Sequence, residues 1–278
     1  MVNLSSLFRC APMVMGCAGM IFYLMAFGAE PLIAQSDKII SDSSQFSSMM
    51  YSNEPPPVAY GAVDVDNSGS CRADGRPATI HGDLNLALRS YEPAAAPPML
   101  MEYDGPTDAD APQLSGLFLD KRLPELVGAY QIYDWDWSCN KDGCRGDLLA
   151  EWPMTLLELA GAQGETLSLP SRGPKIDRAG NNAMVLYAEA TRLTLAYTRH
   201  DSAACGYVVH LEGLQVDPSL VNFYQALDRA GRVQLPGVDN HDRLGAVSGS
   251  SVKVAVRDSG RFMDPGARKD WWQMYGEE

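Results

Sequence analysis

The sequence predicts a mainly β fold, a sandwich or barrel-like set of antiparallel sheets with one amphipathic helix at about 218–230. Three observations carry this. Short stretches from His81 onward alternate apolar and polar residues, the period of a strand with one buried face. Gly, Pro or Asp separates most of these stretches, as turns do between many short strands. Only one segment has helical spacing, with Leu220, Phe223, Tyr224 and Leu227 at i, i+3, i+4 and i+7.

In chain order, residues 1–34 hold Arg9 and then an apolar run, Ala11 to Ala29, followed by small residues suited to a cut after Ala29 or Ala34. This pattern predicts a cleaved export signal; a run of 19 apolar residues also leaves open a retained membrane anchor. Val14-Met15-Gly16-Cys17 hints at a lipoprotein box, discounted because the strongest apolar stretch, Ile21–Phe27, follows Cys17. Residues 35–75 are rich in Ser, Pro, Asn and Asp and read as a disordered linker. Within them Asp64, Asp66, Ser68 and Gly69 resemble the start of a calcium loop, but Gly75 stands where the acidic twelfth ligand belongs, so a polar turn is the favoured reading.

Residues 76–273 form the expected single β-rich domain, with 274–278 as a tail. Leu84, Leu86 and Leu88 open it as a strand by period two. Further strands are expected at Ala129–Trp137, Met154–Leu159, Thr166–Leu169, Ala183–Glu189, Arg192–Thr198, Tyr207–Leu211 and Val252–Arg257. Asp217 can cap the helix, Pro218 suits its first turn, and Gly231 ends it.

A net charge of −13, from 22 Lys+Arg against 35 Asp+Glu, argues against nucleic acid as a partner, since phosphate contacts need clustered cations. Any membrane contact is expected only through the N-terminal segment. Of six cysteines, Cys71, Cys139, Cys144 and Cys205 follow the export segment, an even number in a compartment that permits disulfides. The Asp-Gly turn between Cys139 and Cys144 makes that pairing easy and leaves Cys71 with Cys205. No Cys-x2-Cys pair supports zinc.

His81, His200, His210 and His241 are scattered, without metal or protease spacing, and His210 reads as a solvated strand residue. No Gly-x-Ser-x-Gly elbow is present. The densest surface chemistry is Tyr133-Asp134-Trp135-Asp136-Trp137. On a strand its three aromatics share one face, suited to stacking on a sugar or peptide, with packing as the competing role. The pair Trp271-Trp272 adds two more aromatics, and Asp104–Asp110 reads as a solvated acidic loop.

Two resemblances follow. Asp83–Arg89, Gly105–Leu114, Tyr133–Cys139, Tyr197–Asp201, Gly206–Gly213 and Phe262–Trp272 resemble the motif series of a family of uncharacterised exported bacterial proteins, which implies export and one module but no activity. Residues 173–265 are also similar to the lysostaphin-type zinc metallopeptidases, through Val185–Ala190, Gly206–Val209, Leu244-Gly245 and Val254–Gly260 followed by Asp264-Pro265. Where that family carries His-x-His this chain has Ser251-Val252-Lys253, and where it carries an upstream His and Asp this chain has Gly173 and Asp177. The resemblance implies a degenerate scaffold without its histidine ligands or zinc.

The expected function is a non-catalytic, extracytoplasmic binding or scaffold protein of the bacterial cell envelope, secreted or anchored. Tyr133, Trp135 and Trp137 would meet an envelope glycan or peptide, or an extracytoplasmic protein, and no cofactor is expected. The alternative is an envelope hydrolase acting on peptidoglycan or glycan. It would require carboxylates such as Asp134, Asp136 and Asp201 to converge in one cleft.

Overall fold

A computed structural model describes residues 59–275; the expected signal or anchor segment and most of the expected linker lie outside the described residues. Among the described residues fourteen strands run in chain order as β1 Gly61–Asp64, β2 Tyr91–Pro93, β3 Leu126–Asp136, β4 Cys144–Leu148, β5 Leu156–Ala160, β6 Thr166–Ser168 and β7 Ala183–Glu189. They continue as β8 Arg192–Ala196, β9 Tyr207–Glu212, β10 Leu214–Val216, β11 Gln234–Val238, β12 Arg243–Val247, β13 Ser251–Asp258 and β14 Arg261–Phe262. Helix α1 spans Pro218–Arg229 and the short α2 spans Arg268–Trp271. No helix among the described residues is long and apolar enough to cross a membrane.

The large sheet is ordered β1-β11-β7-β8-β9-β13-β5-β3-β2, all antiparallel, with β14 added to β13 and β4 to β3; it does not close into a barrel. A second antiparallel sheet, β10-β12-β6, contributes Leu167, Leu214, Val216, Leu244 and Val247 to the main hydrophobic cluster. The register explains why the large sheet has two unlike faces. Leu157, Val254, Leu211, Leu193 and Ala188 lie in one row across five strands, all buried in that cluster. One residue along, the opposite face carries the row Glu158, Lys253, Glu212, Arg192, Glu189, whose charges alternate in sign. Opposite charges directly across a strand pair stabilise the pairing, so the row favours this register over a one-residue slip.

Helix α1 forms as expected. The Asp217 carboxylate accepts from the Ser219 N–H at 2.9 Å, Pro218 opens the helix, and Leu220 and Tyr224 are its buried stripe. Phe223 and Leu227 are only half-buried.

Three expectations need correction. Leu84, Leu86 and Leu88 do not form a strand: the segment is two tight 3-10 turns, Ala78–Ile80 and Leu86–Leu88, with local bonds such as Arg89 N–H to Leu86 O at 3.0 Å. Its alternation serves two cores, because Leu84 joins the main cluster and Leu86 a smaller one with Ile132, Leu156, Ala255 and Phe262. The second correction is His210, which is 1% exposed: the same turns cover its strand face, and Thr194 beside it donates to Leu84 O at 2.6 Å. The ordered domain, third, begins before Arg76. β1 pairs with β11, buries Val63, and Cys71 is bonded to Cys205, so residues 60–75 belong to the fold. In the loop after β1, Asp66 accepts from the Ser68 N–H at 2.9 Å and faces Arg199 at 3.6 Å, a polar turn with its own counter-ion.

Candidate binding cleft

A cleft of about 700 Å³ opens between the segment after β1 and the end of α1, lined by Asn67, Arg72, Asp74, Arg76, His81, Asp83, Trp137, Asp201, Asp228 and Arg232, among others. Its outer wall, residues 67–77, is tied down by the Cys71–Cys205 disulfide, by the Asp66 N–H to Arg199 O at 2.8 Å and by Arg76 Nε to Lys141 O at 3.1 Å. The inner wall is set by Arg232, which follows α1. Its guanidinium donates to both Asp201 oxygens (2.8 and 2.6 Å), Asp228 (2.6 Å), the Tyr224 hydroxyl (3.0 Å) and Leu186 O (2.8 Å), which uses all its N–H groups. Burial would lower the Arg232 pKa, but the Asp201 bonds outweigh it and the net shift is upward.

The three aromatics expected to share one function have different places. Trp135 is packed between Gly82 and Gly143, where a Cβ on either glycine would overlap the indole, and its Nε1–H donates to Asp142 O at 3.3 Å. Gly143 also sits at φ +78°, so the Asp-Gly turn serves both backbone and packing. Tyr133 donates to Glu92 at 2.9 Å, with the Arg145 guanidinium 5.2 Å from its ring centre. Only Trp137 reaches the cleft, with Arg76 over its face at 4.5 Å and the His81 ring edge-on at 4.8 Å. All three are half-buried. Trp271 and Trp272 are core, 2% and 0% exposed, with their N–H groups bonded to Asp264 O and Pro265 O.

Of the three carboxylates named for an envelope hydrolase, Asp201 alone lines the cleft, beside Asp74, Asp83 and Asp228; Asp136 accepts from the Ser138 N–H and hydroxyl, and Asp134 faces Arg89 at 3.3 Å. The Cys139 and Cys144 sulfurs lie close to Asp136, but they are bonded to each other, so that group offers no pair of thiolates to a metal. At the positions that the sequence resemblance would set against metallopeptidase ligands, Lys253 lies 3.2 Å from Glu158 and the Ser251 hydroxyl donates to the same carboxylate at 2.5 Å, while Asp177 accepts from the Gly180 and Asn181 N–H groups at 3.0 Å.

His81 and Asp74 are the closest approach to a catalytic pair in the cleft. The Asp83 backbone N–H donates to His81 Nδ1 at 3.1 Å, so Nδ1 carries the lone pair and Nε2 the proton, which points to Asp74 at 3.2 Å. Burial lowers the His81 pKa against the opposing pull of Asp74 and Asp83, so the ring is neutral near pH 7. Both nitrogens are occupied, and no lone pair remains to take a substrate proton. Asp74 is held below its usual value: burial would raise it, but the Arg76 N–H, His81 and the Arg76 guanidinium together outweigh that.

Behind the cleft lies a buried cluster with no signal in residue spacing. Asp83 bridges two buried arginines, Arg89 and Arg257, the second at 2.8 Å. Burial would raise the Asp83 pKa, but Arg257 and Arg89 hold it at about 2. Phe262 has both guanidiniums near its ring, at 5.1 and 4.7 Å, and His210 stacked on it at 5.8 Å. Thr194 spends its hydroxyl proton on Leu84 O and accepts from His210 Nδ1 at 3.0 Å, so His210 Nε2 is a buried lone pair without a partner among the described residues. Burial, with Arg257 and Arg89 adding to it, drives the His210 pKa well down. Compared with protein-family models, curated proteins and solved structures, the chain has no match among any of them.

Proposed function

We propose that the protein is a non-catalytic, extracytoplasmic binding or scaffold protein of the bacterial cell envelope that holds a glycan or peptide in the cleft beside Trp137. A volume of about 700 Å³ suits such a ligand segment. The observation that carries the reading is the state of His81, whose two ring nitrogens are both engaged next to an aromatic wall. What the cleft offers a ligand is therefore fixed donors and acceptors, with Trp137 as the apolar surface for a sugar ring or side chain. Tyr133 and Trp135 support that wall from β3, since Trp135 meets Trp137 edge to face at 6.2 Å.

Co-sedimentation of the purified protein with isolated cell-wall sacculi tests this. Binding that is lost on Trp137→Ala, with no soluble wall fragments released by the parent, is the expected result. Release of fragments that stops on His81→Asn would overturn the reading in favour of the envelope hydrolase.

A further inference from the structure

We propose that a second, smaller cavity, formed by Arg89, Arg257, Phe262, Trp152 and Thr155 and separate from the cleft, is a binding site for one oxyanion group, a carboxylate or a phosphate. The cavity measures about 200 Å³, room for a single acid group with a few attached atoms. The wall carries Arg89, Arg257 and Arg261 against Asp134 and Glu151, and Arg261 and Glu151 face each other at 3.9 Å, 79% and 60% exposed. The buried part is unbalanced: the two guanidiniums of Arg89 and Arg257, 3% and 5% exposed in their side chains, share one half-shielded carboxylate, Asp83. Among the described residues the other acid bonded to the pair is Asp134, which is 61% exposed and 3.3 Å from Arg89, where water weakens its pull. His210 is neutral and supplies no negative charge.

Donors are also left over. Arg257 gives Nε and one Nη2 proton to Gly260 O and its Nη1 to Asp83. Arg89 gives Nε to Gly82 O, Nη1 to Tyr133 O and Asp134, and one Nη2 proton to Asp83. Among the described residues, one Nη2 proton of each arginine is unspent. Trp152, also on the cavity wall, has a buried Nε1–H with no partner among the described residues. Buried donors left unmatched are costly, and so is an uncompensated buried charge; a bound oxyanion would answer both, and a cation neither. The lowered Arg257 pKa, set by burial first and opposed by Asp83, agrees with a site short of negative charge.

The test titrates the full chain separately with sodium acetate and with inorganic phosphate, at fixed ionic strength made up with chloride. The thermal midpoint and the Trp152 indole N–H resonance are followed. A saturable change in both with one anion is expected, and the arm that saturates first identifies the acid as carboxylate or phosphate. Asp134→Asn removes the competing carboxylate while keeping an acceptor, and should tighten binding about 3-fold or more. Trp152→Phe, which keeps the ring contact with Tyr103, should weaken it about 10-fold. Changes no greater than chloride produces, or an affinity indifferent to Asp134→Asn, would overturn the proposal. This outcome is independent of cell-wall binding by the cleft.

Discussion

The cleft and the inner cavity are linked by Asp83, which lines the cleft and bonds the two arginines on the cavity wall, and they treat charge in opposite ways. In the cleft each acid meets a base: Asp74 meets Arg76 and His81, and Asp201 and Asp228 meet Arg232. The result is a polar surface beside Trp137 on which these acids all have a partner. In the inner cavity two arginines lean on Asp83, and donors remain unspent. Matched charges make a template that recognises shape and hydrogen bonds, whereas mismatched ones favour a ligand that brings the missing charge. The difference lies in how the charges are matched. In the cleft Asp201, 4% exposed, is held through both oxygens by Arg232 alone, whereas Arg89 and Arg257, 3% and 5% exposed, share Asp83, and their net charge is felt.

The largest expected effect breaks the inner side of the comparison. Asp83→Asn leaves two buried guanidiniums without their shared carboxylate and should cost about 3–5 kcal/mol in urea unfolding. A loss under about 1 kcal/mol would mean that water or Asp134 already neutralises the pair. The next effect breaks the outer side. Replacing Cys71 and Cys205 by Ser removes a bridge between residues 134 apart and should cost about 2–4 kcal/mol while loosening the cleft wall. The same change at Cys139 and Cys144, only 5 apart, should cost less, because the loop it closes is short. Equal losses would show that the long bridge does not restrain the unfolded chain.

Acid gives a third test. Asp83 titrates at about 2 in the fold against 3.8 for a free side chain, so its contribution is complete above pH 4 and is lost as pH falls through about 2. Roughly 2 kcal/mol should disappear over that window, and the Asp83→Asn variant should show a correspondingly shallower acid slope. Parallel slopes for parent and variant would place the acid sensitivity elsewhere.

The parts of this molecule that were legible in the sequence share a property: their signal is local. β7 was expected at its observed bounds because Ala183–Glu189 is apolar between turn residues, and α1 because cap, proline and stripe agree. The Cys139–Cys144 bridge followed from a turn of four residues. What escaped depends on contacts distant in sequence. β1 is four residues that form a strand by pairing with β11, 170 residues away at Asp64 and Gln234. His210 alternates as a solvated residue would, and nothing near it announces that Leu84 and its neighbours cover it. Arg89 and Arg257 lie 168 positions apart, each in an ordinary-looking segment, and only folding brings them to one carboxylate. Of the aromatic strand, alternation put Tyr133, Trp135 and Trp137 on one side but could not tell which would be clamped by glycines and which would reach a cleft.

That division supplies the prediction with the smallest effect on stability and the largest on the proposed function. Trp135 is clamped between Gly82 and Gly143, so Trp135→Ala empties a packed site; for a half-buried indole the loss should be roughly 2 kcal/mol. Trp137 has a cation on one face and a ring edge beside it, and opens on the cleft, so Trp137→Ala should cost about 1 kcal/mol or less, most of it the contact with Arg76. Binding should follow the reverse order. Trp137→Ala should abolish co-sedimentation with sacculi in a protein that unfolds almost where the parent does. Trp135→Ala should retain binding at temperatures where it is folded, weakened only as far as Trp137 loses its edge contact. Paired unfolding and co-sedimentation curves for the two variants measure both quantities. If Trp135→Ala loses binding while Trp137→Ala keeps it, the ligand meets Trp135 and not the cleft wall at Trp137, and the cleft reading fails with it.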